Sequence, residues 1–128
     1  MGDHAGRHAH DPYAPDSPYD LMFGTVEPMA RRIETGRPHS AEEVQGLQDA
    51  YDGAIAYLDA QLARLVETLR AAGTLERTVI IVTADHGEEF AEHGHLGHGS
   101  GLHFPALHVP LVVRWPAGGV PAGVEVPE

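Results

Sequence analysis

Apolar residues recur at Val44, Leu47, Tyr51, Ile55, Leu58, Leu62, Leu65 and Leu69, in steps of three and four. That spacing draws one stripe along a single helix. Ser40 and Glu43 stand three apart at its start, the pattern of a capping box. Gly73 stands where a left-handed terminating residue is wanted. The predicted helix runs about 32 residues, near 50 Å, unless Gly46 or Gly53 interrupts it. An apolar stripe of that length without a sheet to cover it predicts an exposed patch and a tendency to associate.

The flanking segments differ in kind. Residues 1–39 are rich in Pro, Gly, His and Tyr, with Pro12, Pro15, Pro18, Pro28 and Pro38 breaking any long helix, and read as an irregular loop segment. After the helix, Thr78 to Thr83 is a β-branched run without polar alternation, which suits a strand buried on both faces. A Gly- and His-rich loop runs from Asp85 to about Gly101, and residues 109–115 form a second apolar run. Residues 40–116 thus read as helix, strand, loop and strand, and 117–128 as a turn-rich tail. The fold class is α/β, and the helix is expected to pack on a short sheet of residues 78–83 and 109–115. Two strands do not make a stable buried sheet by themselves.

Composition excludes several chemistries. The chain of 128 residues has 19 Asp and Glu against 8 basic residues, all of them arginine. This acidic balance argues against a nucleic-acid partner. With no cysteine there is no disulfide, thiolate ligand or thiol nucleophile. No apolar run reaches the roughly 20 residues of a membrane helix. Met1 to His10 has no apolar core of a signal peptide, and the compartment is left unassigned.

The residues with chemistry gather beyond the first strand. Asp85 and His86 follow Val82 and Thr83, at the carboxyl end where open α/β sheets hold ligands. Gly87 would let the chain turn sharply, so that a carboxylate and an imidazole converge as half of a divalent-ion shell. Taken alone, an Asp-His pair after a strand is more often a helix N-cap beside a surface histidine. Glu88, Glu89, Glu92, His93, His95, His98, His103 and His108 follow closely, and histidine totals 10 in the chain. A rival zinc set of His93, His95 and His98 lacks the His-Glu-x-x-His spacing and ranks lower.

Several ordered motifs carry a resemblance. Tyr51 to Asp59 is similar to the helix before the metal-binding strand of sulfatases, and Thr78 to Glu88 to that strand and its Asp-His-Gly turn. Glu92-His93-Gly94 and Gly97-His98-Gly99 match the family's loop, Val109 to Pro116 its closing strand, and His10 to Pro15 its His-x-Pro-Tyr stretch. From about His10 to Trp115 the chain resembles the sulfatase family of the alkaline-phosphatase superfamily.

The resemblance implies a partial three-layer αβα sandwich and a sulfuric ester hydrolase. Asp85 and His86 would be two ligands of its divalent metal, with calcium favoured and manganese or zinc compatible. His10 and His98 would be catalytic, His10 near the ester oxygen and His98 at the sulfate or its leaving group. The family's lysine contact has no counterpart in a chain without lysine, and would fall to His98, Ser100 or His103 or remain unfilled. Arg114 is expected to be structural. Substrates would be a sulfate-ester small molecule or a sulfated glycan. The family's formylglycine motif, Cys or Ser followed by x-Pro-x-Arg, is absent, as are the paired aspartate ligands of its first strand. The chain is therefore expected to be a fragment, a truncated gene model or a degenerate paralogue, inactive alone. Two further readings stand beside this one. One is a phosphoryl or phosphonate ester hydrolase or phosphoglycol transferase of the same superfamily. The other is a non-catalytic His-rich metal-binding module.

Overall fold

The computed structural model describes residues 17–19, 22–23, 38–99, 101–118 and 123. Most of the predicted loop segment 1–39, His10 included, and nearly all of the predicted tail lie outside these residues.

Helix α1 spans Ala41–Ala71 without interruption, as the stripe predicts. Ser40 caps it: its hydroxyl accepts from the Glu43 amide at 3.2 Å, and the Glu43 carboxylate accepts from the Ser40 amide at 2.9 Å. Such a cap contributes about 1 kcal/mol by satisfying amides that the first turn leaves open. At the other end Gly73 takes φ 65°. Its amide donates to Arg70 O, and the Thr74 amide donates to Leu69 O, each at 3.0 Å. These two bonds are a Schellman closure, which absorbs carbonyls the last turn cannot pair.

A 3-10 turn, Leu75–Arg77, leads from α1 into strand β1, Ile80–Thr83. β1 starts two residues later than its β-branched run. The Thr78 amide and hydroxyl are held by Leu75 O and Thr74 O, so Thr78 closes the turn instead of opening the strand. Then come β2 (Glu89–Phe90), β3 (Leu96–Gly97), a short helix α2 (Phe104–Leu107) and β4 (Leu111–Arg114). β1 pairs antiparallel with β4, Ile80 opposite Arg114 and Thr83 opposite Leu111, while β2 and β3 form a separate small hairpin.

Two expectations are corrected here. β1 is not buried on both faces: Ile81 is 62% exposed, and on β4 Leu111 is 70% exposed. A ribbon with one partner strand has no layer over each face among the described residues. Nor does α1 lie mainly on that ribbon; it packs chiefly against the 3-10 turn and β2. Leu47, Gly53 and Ala54 are its buried residues, and Ile55 and Leu65, though in the stripe, are exposed. Arg114 ties the ribbon back to the turn, donating to Leu75 O at 2.7 Å and to Glu76 Oε1 at 2.8 Å. No described helix is long and apolar enough to cross a membrane.

Candidate functional site

β1 delivers Asp85 and His86 to the turn beyond its carboxyl end. Asp85 Oδ1 accepts from the His86 amide at 3.1 Å, which steers the carboxylate toward the neighbouring ring. His86 Nδ1 lies 2.9 Å from the Gly87 carbonyl oxygen. A carbonyl only accepts, so Nδ1 is the donor and Nε2 is the nitrogen left to face a ligand. That Nε2 stands 3.7 Å from Asp85 Oδ1. Two donors on one tetrahedral ion, each bonded at about 2.0 Å, stand about 3.3 Å apart. A small rotation of Asp85, whose side chain is 92% exposed, would close the difference. One hard oxygen and one imidazole nitrogen, held in the tautomer that coordinates, fit a divalent ion as part of its shell.

His98 joins this pair from the far side of the loop. Its ring stacks on that of His86, with centroids 3.7 Å apart and planes at 27°. The His98 Nδ1 lies 3.0 Å from Glu88 Oε1, so this largely buried carboxylate sets the ring's orientation. Glu88 also faces α1. Burial pushes the Tyr51 phenol above its ordinary pKa, and the nearby Glu88 and Asp52 carboxylates push it further. The Tyr51 ring meets Phe90 edge-on at 5.3 Å, a contact that seats the loop on the helix.

Gly87 is needed for a reason the sequence does not display. It is not among the glycines with positive φ. Its amide donates to Ala106 O at 2.8 Å, and α2 lies directly against it. A Cβ there would stand 1.9 Å from Pro105 O and 3.0 Å from His108 O. Close approach of two backbones, not the turn itself, requires glycine at this position.

Asp85, His86 and His98 are therefore brought together, whereas His10 and Ser100 lie outside the described residues. The rival set of His93, His95 and His98 is not assembled. His93 turns to Glu89 and His103, and His98 to Glu88 and His86, because the hairpin points the two rings to different neighbours. Sequence spacing gives Glu88 and Glu89 no individual role. The one local sign is their position directly after the Asp-His-Gly turn.

A family model described as Sulfatase matches residues 4–126. Arylsulfatase K of Bos taurus is 32% identical over 85 residues, 66% of this chain and 15% of that protein. Choline-sulfatase of Rhizobium meliloti (strain 1021) is 27% identical over 139 residues, 93% of this chain and 27% of that protein. Among solved structures, the phosphonate monoester hydrolase of Agrobacterium radiobacter aligns with a TM-score of 0.57 and 39% identity, covering 60% of this chain and 15% of that one. The phosphonate monoester hydrolase from Silicibacter pomeroyi aligns with a TM-score of 0.55 and 30% identity, covering 76% and 17%. The chain thus spans about 15% of the length of the Arylsulfatase K relative.

Proposed function

Because this chain belongs to the sulfatase family of hydrolases, we propose that it contributes the metal-binding loop of an enzyme that hydrolyses sulfate esters. Asp85 and His86 would supply two ligands of a divalent cation, calcium favoured and manganese or zinc compatible. Bound there, the cation would polarise the ester group and orient it for attack. The observation that carries this reading is the His86 ring, whose Nδ1 proton is committed to Gly87 O while Nε2 faces the Asp85 carboxylate.

The other roles follow from placement. His98, oriented by Glu88 and stacked on His86, would contact the sulfate or its leaving group. A histidine can donate a proton there near neutral pH. His10 would serve at the ester oxygen. The nucleophile and the remaining ligands would come from residues other than these, since a two-ligand site binds an ion weakly. Residues 1–128 would then form part of one catalytic domain, with 40–116 as its helix, strand, metal loop and strand. The substrate would be a sulfated small molecule or glycan.

A second reading, cleavage of phosphonate or phosphate monoesters, is favoured by one observation. Identity to the solved Agrobacterium radiobacter hydrolase is 39%, against 32% to Arylsulfatase K of Bos taurus. Grafting residues 40–116 in place of the matching stretch of that phosphonate monoester hydrolase separates the two. The expected result is a kcat/KM ratio shifted toward aryl sulfate over aryl phosphonate, relative to the parent enzyme. A ratio unchanged or moved toward phosphonate would favour the second reading. The isolated chain is expected to turn over neither ester.

A further inference from the structure

We propose that Glu89, His93 and His103 form a second divalent-cation site, of zinc-binding character, apart from the Asp85–His86 pair. The starting observation is Glu89, among the described residues the largest side chain buried almost completely, at 1% exposure. Its Oε1 lies 2.6 Å from His93 Nδ1, but its Oε2 is buried with no hydrogen-bond partner among the described residues. A carboxylate oxygen taken out of water and left unsatisfied is costly, and a cation is what removes that cost. No lysine exists to supply one. Among the described residues, the guanidiniums of Arg64, Arg70 and Arg114 bond to Gln61, Glu67 and Glu76 instead.

His103 completes the set. It occupies the N-cap of α2, where Ser, Thr, Asp or Asn would satisfy the first-turn amides, yet it makes no side-chain capping bond. Its ring instead lies on that of His93, with centroids 3.9 Å apart and planes at 9°. One donor atom from each of Glu89, His93 and His103 falls within 4.8 Å of the others. Drawing these atoms to the roughly 3.3 Å separation of a tetrahedral shell means closing gaps of up to about 1.5 Å by side-chain rotation. His93, with a side chain 43% exposed, has room to make it.

Two imidazoles and one carboxylate, with water in the fourth place, make a three-ligand zinc set. Imidazole donors select zinc over calcium, so this site and one at Asp85–His86 need not compete for the same ion. The ligands come from β2, the turn after it and the start of α2. An ion there would clamp the hairpin to the helix that rests on Gly87, and so fix the loop bearing His86 and His98.

The test is calorimetric titration of the 128-residue chain with Zn2+, with Co2+ absorption as a second readout. One equivalent of Zn2+ should bind tightly, any binding at the two-ligand Asp85–His86 pair being weaker, and Glu89→Gln and His103→Ala should each weaken the tight event by at least about tenfold. Asp85→Ala and His95→Ala should leave that affinity unchanged, and Co2+ should give tetrahedral absorption that His103→Ala abolishes. Wild-type affinity in His103→Ala, or loss of binding in Asp85→Ala, would overturn the proposal. Far-UV circular dichroism guards against unfolding of the buried Glu89→Gln variant, and His103, at the more exposed edge, gives a substitution independent of it. The Asp85–His86 reading stands or falls on other residues, so its failure is distinguishable.

Discussion

Gly87→Ala is expected to destabilise the fold by about 3 kcal/mol, the upper range for forcing atoms into a filled space. The new Cβ would stand 1.9 Å from Pro105 O. The obstacle is backbone, which cannot rotate away as a side chain can, so α2 must lift. Lifting it also breaks the bond from the Gly87 amide to Ala106 O, and Ala106 is buried at 6% exposure. Domains of this size hold only about 5–15 kcal/mol in total, so the loss is a large share. Denaturant unfolding followed by circular dichroism should show a lower midpoint with an unchanged slope. A midpoint equal to wild type would mean that α2 does not rest on Gly87.

Asp85→Ala, in the grafted enzyme described above, is expected to lower kcat/KM by about a thousandfold. The reason is electrostatic. A metal acting as a Lewis acid supplies several kcal/mol of transition-state stabilisation, and about 4 kcal/mol corresponds to that factor. Asp85 is the only carboxylate of the proposed pair, and its side chain is 92% exposed with no packing role to lose. Folding should therefore survive while turnover falls, which separates this variant from Gly87→Ala. Turnover within a few-fold of the graft would show that Asp85 is not a ligand.

How much of this was legible in the sequence depends on how local each feature is. The bounds of α1 follow from Ser40, Glu43 and Gly73, because caps are settled by residues within one turn of the helix end. The two apolar runs are visible as strands, but their antiparallel pairing, Ile81 opposite Val113, is a non-local fact that no period encodes. The start of β1 is missed because the Thr78 hydroxyl and amide close the 3-10 turn, and a β-branched residue reads the same in either place. Helix α2 hides in a Gly- and His-rich stretch, although Pro105 in its first turn is the signal that could have found it.

Asp85 and His86 stand out because two side chains of a kind that can ligate a metal stand just beyond the end of a strand. The need for Gly87 is misread as turn geometry, since the neighbour that crowds it lies 18 residues on, at Pro105. The burial of Glu89 is the least legible feature. A glutamate in an acidic run looks like a solvated surface residue, and only the packing of the hairpin against α1 removes it from water.

The central claim is that His86 binds the metal through Nε2. It is tested most directly by stripping the grafted enzyme of metal and restoring activity with Ca2+, Mn2+ or Zn2+. The half-saturating metal concentration should rise at least about tenfold in His86→Ala, with turnover partly recovered at high metal, as when a ligand is lost but the site persists. A metal-saturation curve in His86→Ala that overlays that of the unmodified graft would contradict the account.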